Sequence, residues 1–322
     1  MTAAYLATGD RFGRLDDLRA DETPAWALEG SGAQCLAVDP GDAKTVFVGC
    51  RGGGLMRTGD GGESWDRLEL PESDVFSVAV SAADGAVYAG TEPSRLFRSR
   101  DGGASFQELT ALQGIPSRPR WSFPPRPWTS HVRWIAPDPH EPRRVLVGVE
   151  LGGLMLTDDD GESFTDHRPG AQPDVHALAW HPTVSGRAYE AGGGGAAWSR
   201  DGGLNWQPAD AGRDLNYVWG LAVDPRDPDR WFVSAAPSAG RAHGGEHAEA
   251  GLYRWQGDGP WRRITRQPLR TLPYALSATD RGELVAGLGD GRILVSSDAG
   301  DSWHEAPACA GRILALAATP CA

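Results

Sequence analysis

Short apolar runs of four or five residues recur along the chain, and turns rich in glycine and aspartate separate them. One kind of run ends in a proline turn, as in Cys35–Pro40 and Leu221–Pro225. A second kind follows it and is rich in β-branched and aromatic residues, as in Thr45–Gly49, Ala86–Gly90 and Val145–Gly148. Runs of this length and composition, bounded by turn residues, predict β-strands. The pattern therefore predicts an all-β protein built from repeated units.

A hairpin of the form Ser/Thr-x-Asp-x-Gly-x-Ser/Asn-Trp/Phe completes most units. Its aspartates are Asp60, Asp101, Asp159, Asp201 and Asp298. They are 41, 58, 42 and 97 residues apart. The interval of 58 holds one unit and an insertion, and the interval of 97 holds two units with a degenerate hairpin at Trp255–Trp261. Four short strands per unit at this spacing predict the four-stranded blades of a β-propeller.

The number of blades follows from the first strands of the units. These lie near Cys35, Val78, Ile135, Leu178, Leu221, Leu276 and Leu316. The seventh, Arg312–Ala317, has no partners after it, and the N-terminal runs Ala4–Thr8, Arg11–Leu15 and Ala25–Leu28 can supply them. Sharing one sheet between the two ends closes the ring and removes its open edges. We therefore predict a single seven-bladed β-propeller over residues 1–322, with six blades as the alternative.

The aspartate hairpins resemble Asp-box (bacterial neuraminidase) repeats. Together with segments such as Leu-Ala-Val-Asp-Pro and Val-Phe-Val-Gly, they make the chain similar to the propellers of xyloglucanase-type glycoside hydrolases, sortilin-like receptors and photosystem II assembly factors. The resemblance implies a propeller fold. It also implies either glycoside hydrolysis or protein interaction, because one fold serves several functions.

Composition excludes several classes of partner. The chain has 43 acidic and 31 basic side chains, a formal net charge of −12, and such a surface repels nucleic acid. No apolar stretch approaches the roughly 18 residues of a membrane span, and the N-terminus lacks the regions of a signal peptide. We therefore expect a cytoplasmic protein with no membrane partner. No glycine-rich phosphate loop opens a helix, so we expect no nucleotide cofactor.

The repeated aspartates are expected to be structural, because aspartate and serine side chains pin tight hairpins through local hydrogen bonds. The four cysteines form no Cys-x-x-Cys pair. Cys35 and Cys50 are expected to be core or rim thiols, and Cys309 and Cys321 lie near the closing strand. Functional residues are therefore expected where the repeats differ.

The repeats differ most at the starts of the first strands and the ends of the second strands, which gather at one mouth of the channel. One aligned position in the first strands holds Gln34, Phe76, Arg133, His176, Trp219, Tyr274 and Leu314. Two residues earlier the position holds Gly32, Asp74, His131, Asp174, Tyr217, Leu272 and Arg312. The second strands end at Arg51, Glu92, Glu150, Glu190 and Asp290. Large polar and aromatic groups in such positions predict a binding site.

Histidines and carboxylates concentrate in blades three to five. Neutral imidazole and carboxylate are the usual ligands of divalent transition metals, and this predicts a metal site. The expected ligands are His131 and His176, with His243 or His247 from an insertion. The alternative is a hydrated rim or a metal-free pocket.

Other residues are expected to serve the reaction. Glu150 or Glu190 would complete the metal shell or act as general base, and Arg133 would pair with a substrate anion. Asp174 and Tyr274 are further catalytic candidates. The expected substrate-binding residues are Arg51, Phe76, Trp128, Tyr217 and Trp219.

Two insertions are expected to lie over the channel mouth, at residues 113–129 and 237–250. The first is rich in proline, arginine and tryptophan and leads directly into His131. Proline stiffens a segment and aromatic residues provide contact area. The first insertion is therefore either a lid over a ligand or a dimer contact.

Three functions remain open. The leading hypothesis is metal-assisted hydrolysis, or a related conversion, of a small polar molecule. The second is a non-catalytic scaffold that binds a protein partner.

The third function is glycoside hydrolysis, which the resemblance implies. Xyloglucanase-type enzymes use two aspartates between two propellers, and Asp74 and Asp174 are the candidates here, although this chain has one propeller. A sialidase-like site would use Arg51, Arg133 and Arg312 with Tyr274, but no Phe-Arg-Ile-Pro segment is present.

Overall fold

The computed structural model describes residues 2–307 and 311–320, which form seven antiparallel sheets arranged as the blades of a propeller. Six of these sheets have four strands and one has three. The seven-bladed prediction is confirmed, and the six-bladed alternative is wrong. Cys309 and Cys321 lie outside the described residues.

The strands follow one another along the chain in blade order. The N-terminal strands are β1 (Thr2–Ala7), β2 (Phe12–Leu15) and β3 (Ala25–Ala27). Blade 1 contains β4 (Ala33–Asp39), β5 (Asp42–Cys50), β6 (Gly54–Thr58) and β7 (Asp66–Leu68). Blade 2 contains β8 (Asp74–Val80), β9 (Val87–Glu92), β10 (Leu96–Ser99) and β11 (Gln107–Glu108). Blade 3 contains β12 (Val132–Pro137), β13 (Val145–Val149) and β14 (Gly153–Thr157).

The second half continues in the same order. Blade 4 contains β15 (Val175–Trp180), β16 (Ala188–Gly192), β17 (Gly195–Ser199) and β18 (Gln207–Pro208). Blade 5 contains β19 (Tyr217–Val223), β20 (Arg230–Ala236), β21 (Gly251–Gln256) and β22 (Arg262–Arg263). Blade 6 contains β23 (Pro273–Ala278), β24 (Leu284–Leu288), β25 (Ile293–Ser296) and β26 (His304–Glu305). The last strand is β27 (Ala315–Pro320).

Helical structure is confined to short segments. One 3-10 turn, Thr110–Gly114, leads into the first insertion, and a second, Arg118–Arg120, lies within it. The second insertion contains α1 (Ala239–His243). Within residues 2–307 and 311–320, no helix has the length and apolar character required to cross a bilayer.

Blade 7 joins the two ends of the chain. Strand β27 pairs antiparallel with β1, from Thr2↔Pro320 to Ala7↔Ala315. Strand β1 in turn pairs with β2, and β2 with β3. The predicted closure is therefore confirmed, although the closing strand begins at Ala315, three residues later than expected.

Blade 3 departs from the predicted four strands. A single bridge, Leu156↔Thr165, stands where the other complete blades have a fourth strand. The backbone N–H of Leu154 donates to Nδ1 of His167 at 3.1 Å, and the N–H of Arg168 donates to the carbonyl of Leu154 at 2.9 Å. The imidazole of His167 thus replaces a backbone acceptor and interrupts the regular ladder.

The hydrophobic core lies between neighbouring blades. Between blades 1 and 2, Phe47 and Leu55 pack in one cluster with Val87. Between blades 6 and 7, Ile293 packs in another cluster with Leu6. Each sheet therefore buries both faces, and no blade has a complete core of its own.

Each aspartate hairpin holds itself together. The carboxylate of Asp60 accepts hydrogen bonds from the Thr58 hydroxyl at 2.7 Å and the Ser64 N–H at 3.0 Å. The Thr58 hydroxyl oxygen accepts from the N–H of Gly62 at 2.9 Å. The same pattern occurs around Asp101, Asp159, Asp201 and Asp298. These carboxylates therefore stabilise the turns of their own hairpins.

The hairpin also contacts the preceding blade. Gly62 has a φ of +103°, and a Cβ at this position would lie 2.7 Å from Cε1 of Phe12. Trp65 packs edge-on against Phe12 with ring centroids 4.9 Å apart. The hairpin of blade 1 therefore fits against blade 7 only because residue 62 lacks a side chain.

We predict that Gly62→Ala lowers the free energy of unfolding by about 1–3 kcal/mol, because the methyl group strains the backbone and overlaps Phe12. Gly59→Ala in the same hairpin is the control, since nothing lies within 4 Å of its added Cβ. Denaturant unfolding of both variants measures the effect. Equal stabilities of the two variants would contradict this account of the hairpin.

Candidate functional site

A cavity of about 580 Å³ opens where the first strands begin. Most of the residues predicted for the site line it. They are Arg51, Phe76, His131, Arg133, Glu150, Asp174, Tyr217, Trp219, His243 and Tyr274. Both insertions reach it, the first through Phe123, Pro124 and Pro125 and the second through Ala239 and His243.

Close packing between neighbouring blades brings the polar residues together. A Cβ on Gly90 would lie 2.5 Å from Cγ1 of Val132, so the end of β9 lies directly against the start of β12. The side chain of Val175 packs in the same way over Gly148. Glu92 and Glu150 follow these two glycines by two residues, and His131 and Asp174 directly precede the two valines. The packing therefore places each glutamate beside the polar start of the next blade.

His131 lies between two carboxylates. Its Nε2 donates to Oε2 of Glu150 at 2.8 Å, and its Nδ1 lies 3.3 Å from Oε2 of Glu92. The ring is buried, stacks on Phe76 with centroids 4.1 Å apart, and meets Phe123 edge-on at 4.9 Å. Both nitrogens of this imidazole therefore face acidic groups at an apolar wall.

Arg126 ties the first insertion to the same group. Its guanidinium donates to both oxygens of Glu92, at 2.7 and 2.6 Å. Burial raises the pKa of Glu92, but the nearby His131 and the bonds from Arg126 outweigh burial and lower it to about 2. The carboxylate therefore stays ionised and anchors the insertion over the cavity.

His176, Asp174 and Glu150 form a second group. Nδ1 of His176 donates to the carbonyl of Val218 at 2.6 Å, which leaves Nε2 facing Oδ2 of Asp174 at 3.5 Å. Nε2 of His176 and Oδ1 of Asp174 are buried and have no hydrogen-bond partner. One potential ligand atom from each of the three residues lies within 4.8 Å of the other two.

This is the one group of three potential metal ligands within residues 2–307 and 311–320. His131 stands beside it as a partner of Glu150 and is not a member. Burial is the largest influence on the carboxyl of Glu150 and raises its pKa, but His131 and Arg133 outweigh it, so the pKa is lowered. Glu150 is therefore an ionised oxygen donor at neutral pH.

His243 is held between two tyrosines. One ring nitrogen lies 2.9 Å from the hydroxyl of Tyr217 and the other lies 3.1 Å from that of Tyr274. Desolvation by the surrounding rings is the largest influence on His243 and lowers its pKa to about 4. The imidazole is therefore neutral at pH 7, and both of its nitrogens are engaged.

Three arginines line the cavity, and each lies over an aromatic ring. The guanidinium carbon of Arg133 is 4.7 Å from the ring centroid of Trp219. The corresponding distances are 5.8 Å for Arg51 over Phe76 and 4.9 Å for Arg312 over Tyr274. Stacking holds these cations in place. Nη2 of Arg312 also donates to the hydroxyl of Tyr274 at 2.8 Å.

Five predicted residues do not line the cavity: Trp128, His176, Glu190, His247 and Asp74. His176 is buried directly behind the lining residue Asp174. Trp128 is 80% exposed, and Trp121 is the buried tryptophan of the insertion, with its Nε1 bonded to Ser117. His247 is exposed. Oδ1 of Asp74 accepts a hydrogen bond from the N–H of Gly52.

Glu190 shows why the alignment of strand ends failed. Val175 pairs with Gly192, whereas Val132 pairs with Val149 in blade 3, so the counterpart of Glu150 is residue 193 and not residue 190. Glu190 instead occupies the position of a core residue and is fully buried. Its Oε2 accepts from the N–H of Gln172 at 2.9 Å, and its Oε1 has no hydrogen-bond partner.

Sequence reasoning missed the roles of Glu92 and Phe123. Glu92 ends a second strand in the same way as Glu150, and this was the available signal. No periodic signal identifies Phe123, because it lies in an insertion without a counterpart in the other blades.

The comparisons with known proteins identify the fold. No family model and no curated protein matches the chain. Among solved structures, the chain is similar to an ancestral GH74 enzyme, at 15% identity and a TM-score of 0.63 over 98% of this chain and 40% of that one. The GH74 xyloglucanase from Xanthomonas campestris gives 16% identity and a TM-score of 0.64, over 95% of this chain and 46% of that one. YCF48 bound to D1 peptide gives 18% identity and a TM-score of 0.58, over 94% of this chain and 84% of that one.

The chain thus spans less than half the length of these two GH74 chains. Identities this low show the fold alone. The expected resemblance to xyloglucanase-type and photosystem assembly-factor propellers is confirmed at that level.

We predict that stability falls as the pH rises, because of Glu190. Burial raises its pKa from 4.5 to about 8, so between these values the folded chain holds a proton that the unfolded chain has lost. The free energy of unfolding therefore decreases between pH 5 and pH 8. Glu190→Gln cannot ionise and should gain about 3 kcal/mol relative to the wild type between these two pH values.

Denaturant unfolding at pH 5 and pH 8 measures this difference. Glu162→Gln, at an exposed position, is the control and should follow the wild type. Parallel pH profiles for the wild type and Glu190→Gln would show that Glu190 does not titrate in this range.

Proposed function

We propose that this protein is a metal-dependent enzyme that hydrolyses, or similarly converts, a small polar molecule in the cavity at the channel mouth. The observation that carries the proposal is the group of Glu150, Asp174 and His176. Two of its atoms, Nε2 of His176 and Oδ1 of Asp174, are buried without a hydrogen-bond partner. Such atoms cost free energy unless something binds them, and a cation would satisfy both.

The donor set fits a divalent transition metal. One imidazole nitrogen and two carboxylates are common ligands of such ions, and three protein ligands leave coordination positions for water or substrate. The surrounding contacts are those that orient ligands. The Nδ1–H of His176 donates to a backbone carbonyl, and Glu150 accepts from His131.

When bound, a divalent cation would lower the pKa of a coordinated water molecule and supply a nucleophile near neutral pH. His131, between Glu92 and Glu150, can hold a proton released in the cavity. Arg133 faces the same space and can stabilise negative charge on the substrate. Trp219, Tyr217 and Tyr274 supply the walls.

Glycoside hydrolysis receives less support from this geometry. A glycosidase needs one carboxylic acid that stays protonated to assist the leaving group. The pKa of Glu150 is lowered, and the buried acid with a raised pKa, Glu190, lies away from the cavity. Asp74 is also outside the lining.

A protein-binding function is the second candidate. YCF48, which is similar in fold and is matched over 84% of its length, is bound to D1 peptide in its solved structure. The cavity of the present chain is open and carries Arg51 and Arg312, both exposed, so an acidic peptide end could enter it. This function predicts partner binding that does not change when His176 is substituted.

We predict that the protein purified without a histidine tag and stripped with chelator binds about one Zn²⁺ ion per chain. His176→Ala and Asp174→Asn should weaken binding at least about tenfold, because each removes a ligand. His247→Ala, which removes an exposed imidazole outside the cavity, should bind as the wild type does. Calorimetric titration of the four proteins measures this. No uptake by the wild type, or equal uptake by all four, would refute the metal site.

A further inference from the structure

A second, smaller cavity lies in the channel. It has a volume of about 160 Å³ and is surrounded by the first strands of all seven blades. Its apolar wall includes Leu36, Val78, Ile135, Leu221, Leu276 and Leu316. A narrow space with such a wall holds water poorly and favours an apolar occupant.

The two cavities adjoin each other. Six residues line both: Gln34, Phe76, Arg133, Trp219, Tyr274 and Leu314. Each of them occupies the same aligned position in the first strand of its blade. In blade 4 that position holds His176, and its neighbour Ala177 lines the channel cavity alone. The six residues form a neck between an upper chamber, which is the larger cavity, and a lower chamber, which is the channel cavity.

Arg133 is the charged residue of this neck. Its Nε is buried and has no hydrogen-bond partner. Its one ion contact with a carboxylate, Glu150, is at 3.8 Å, which is longer than a direct hydrogen bond. A guanidinium held over Trp219 with an unsatisfied buried N–H is suited to bind a planar oxyanion such as a carboxylate.

The charge around the upper chamber favours an anion. Three arginines and two carboxylates line it, so the lining carries a net positive charge apart from its histidines, although the whole chain carries −12. A ligand with a single negative charge would balance this difference.

We propose that the channel takes the unbranched aliphatic chain of a ligand whose carboxylate, or the acyl carbonyl from which it derives, lies beside Arg133 at the neck. The channel cavity, at about 30 Å³ per water-sized group, has room for about five such groups. Each methylene buried there should tighten binding about fourfold.

This inference rests on the proposed function for its reaction, which is hydrolysis of a short- or medium-chain acyl ester or amide. Water adds its oxygen to the acyl carbon, and the bond from that carbon to the leaving oxygen or nitrogen breaks. One proton of the water passes to the leaving group, and the other is released to solvent, or to the amine product, as the acid ionises. The products are an alcohol or amine and the carboxylate, which Arg133 would hold.

The test measures binding of acetate, butyrate, hexanoate and octanoate by calorimetry to the metal-free protein in chelator. The affinity should rise about fourfold per methylene until the channel is full. Hexanamide, which has the same chain and no charge, should bind at least tenfold more weakly than hexanoate.

Two kinds of variant distinguish binding of the carboxylate from binding of the aliphatic chain. Arg133→Gln should weaken all carboxylates about equally, by tenfold or more, and leave the dependence on chain length unchanged. Val78→Phe, or Leu36→Phe if the first does not fold, narrows the channel and should remove that dependence. A flat series from acetate to octanoate in the folded wild type, or hexanamide binding as tight as hexanoate binding, would overturn the proposal.

Failure of this inference is distinguishable from failure of the proposed function. The binding series needs no metal, and His176→Ala should retain it. Chain-length dependence without Zn²⁺ uptake would leave the ligand class standing and remove the metal-dependent reaction. Zn²⁺ uptake with an affinity that does not change with chain length would leave the metal site standing and remove the ligand class.

Discussion

Closure of the ring by one strand from the C-terminus is the constraint on which the rest of the structure depends. Pairing of β27 with β1 makes the seventh blade and gives blades 1 and 6 a neighbour on their otherwise open faces. Each blade is apolar on both faces and has no complete core of its own, so seven mutually buried interfaces stabilise the protein only together. Both cavities exist because the closed ring holds seven first strands around one axis.

The same packing between blades builds the site. Where a second strand loses its side chain at Gly90 or Gly148, the valine of the next blade approaches closely. This approach sets Glu92 beside His131, and Glu150 beside Asp174 and His176. The polar groups are therefore held by rigid strands, with Arg126 of the first insertion bonded to one of them. A site assembled in this way keeps its geometry without requiring any one blade to be stable alone.

The cavity gathers positive charge in a chain that is acidic as a whole. A protein with a net charge of −12 places three arginines in one opening and stacks each on an aromatic ring. It also keeps two polar atoms, on His176 and Asp174, buried and unsatisfied beside them. Such an arrangement costs folding free energy, and sites that bind ligands are where proteins retain this cost.

The sequence by itself determined the strand repeat, the seven blades and the closure, because hairpin spacing and strand period are local properties that the spacing from Asp60 to Asp298 records directly. It also placed most of the cavity residues, since those of one aligned position share one end of the ring. Only the tertiary structure decided which of them meet. The pairing of Val175 with Gly192 moved Glu190 into the core, and packing across blades gave His131 a second carboxylate and left Nε2 of His176 open. Register and contacts between blades depend on residues distant in sequence, and the three positions between residues 190 and 193 separate a buried side chain from the rim of the cavity.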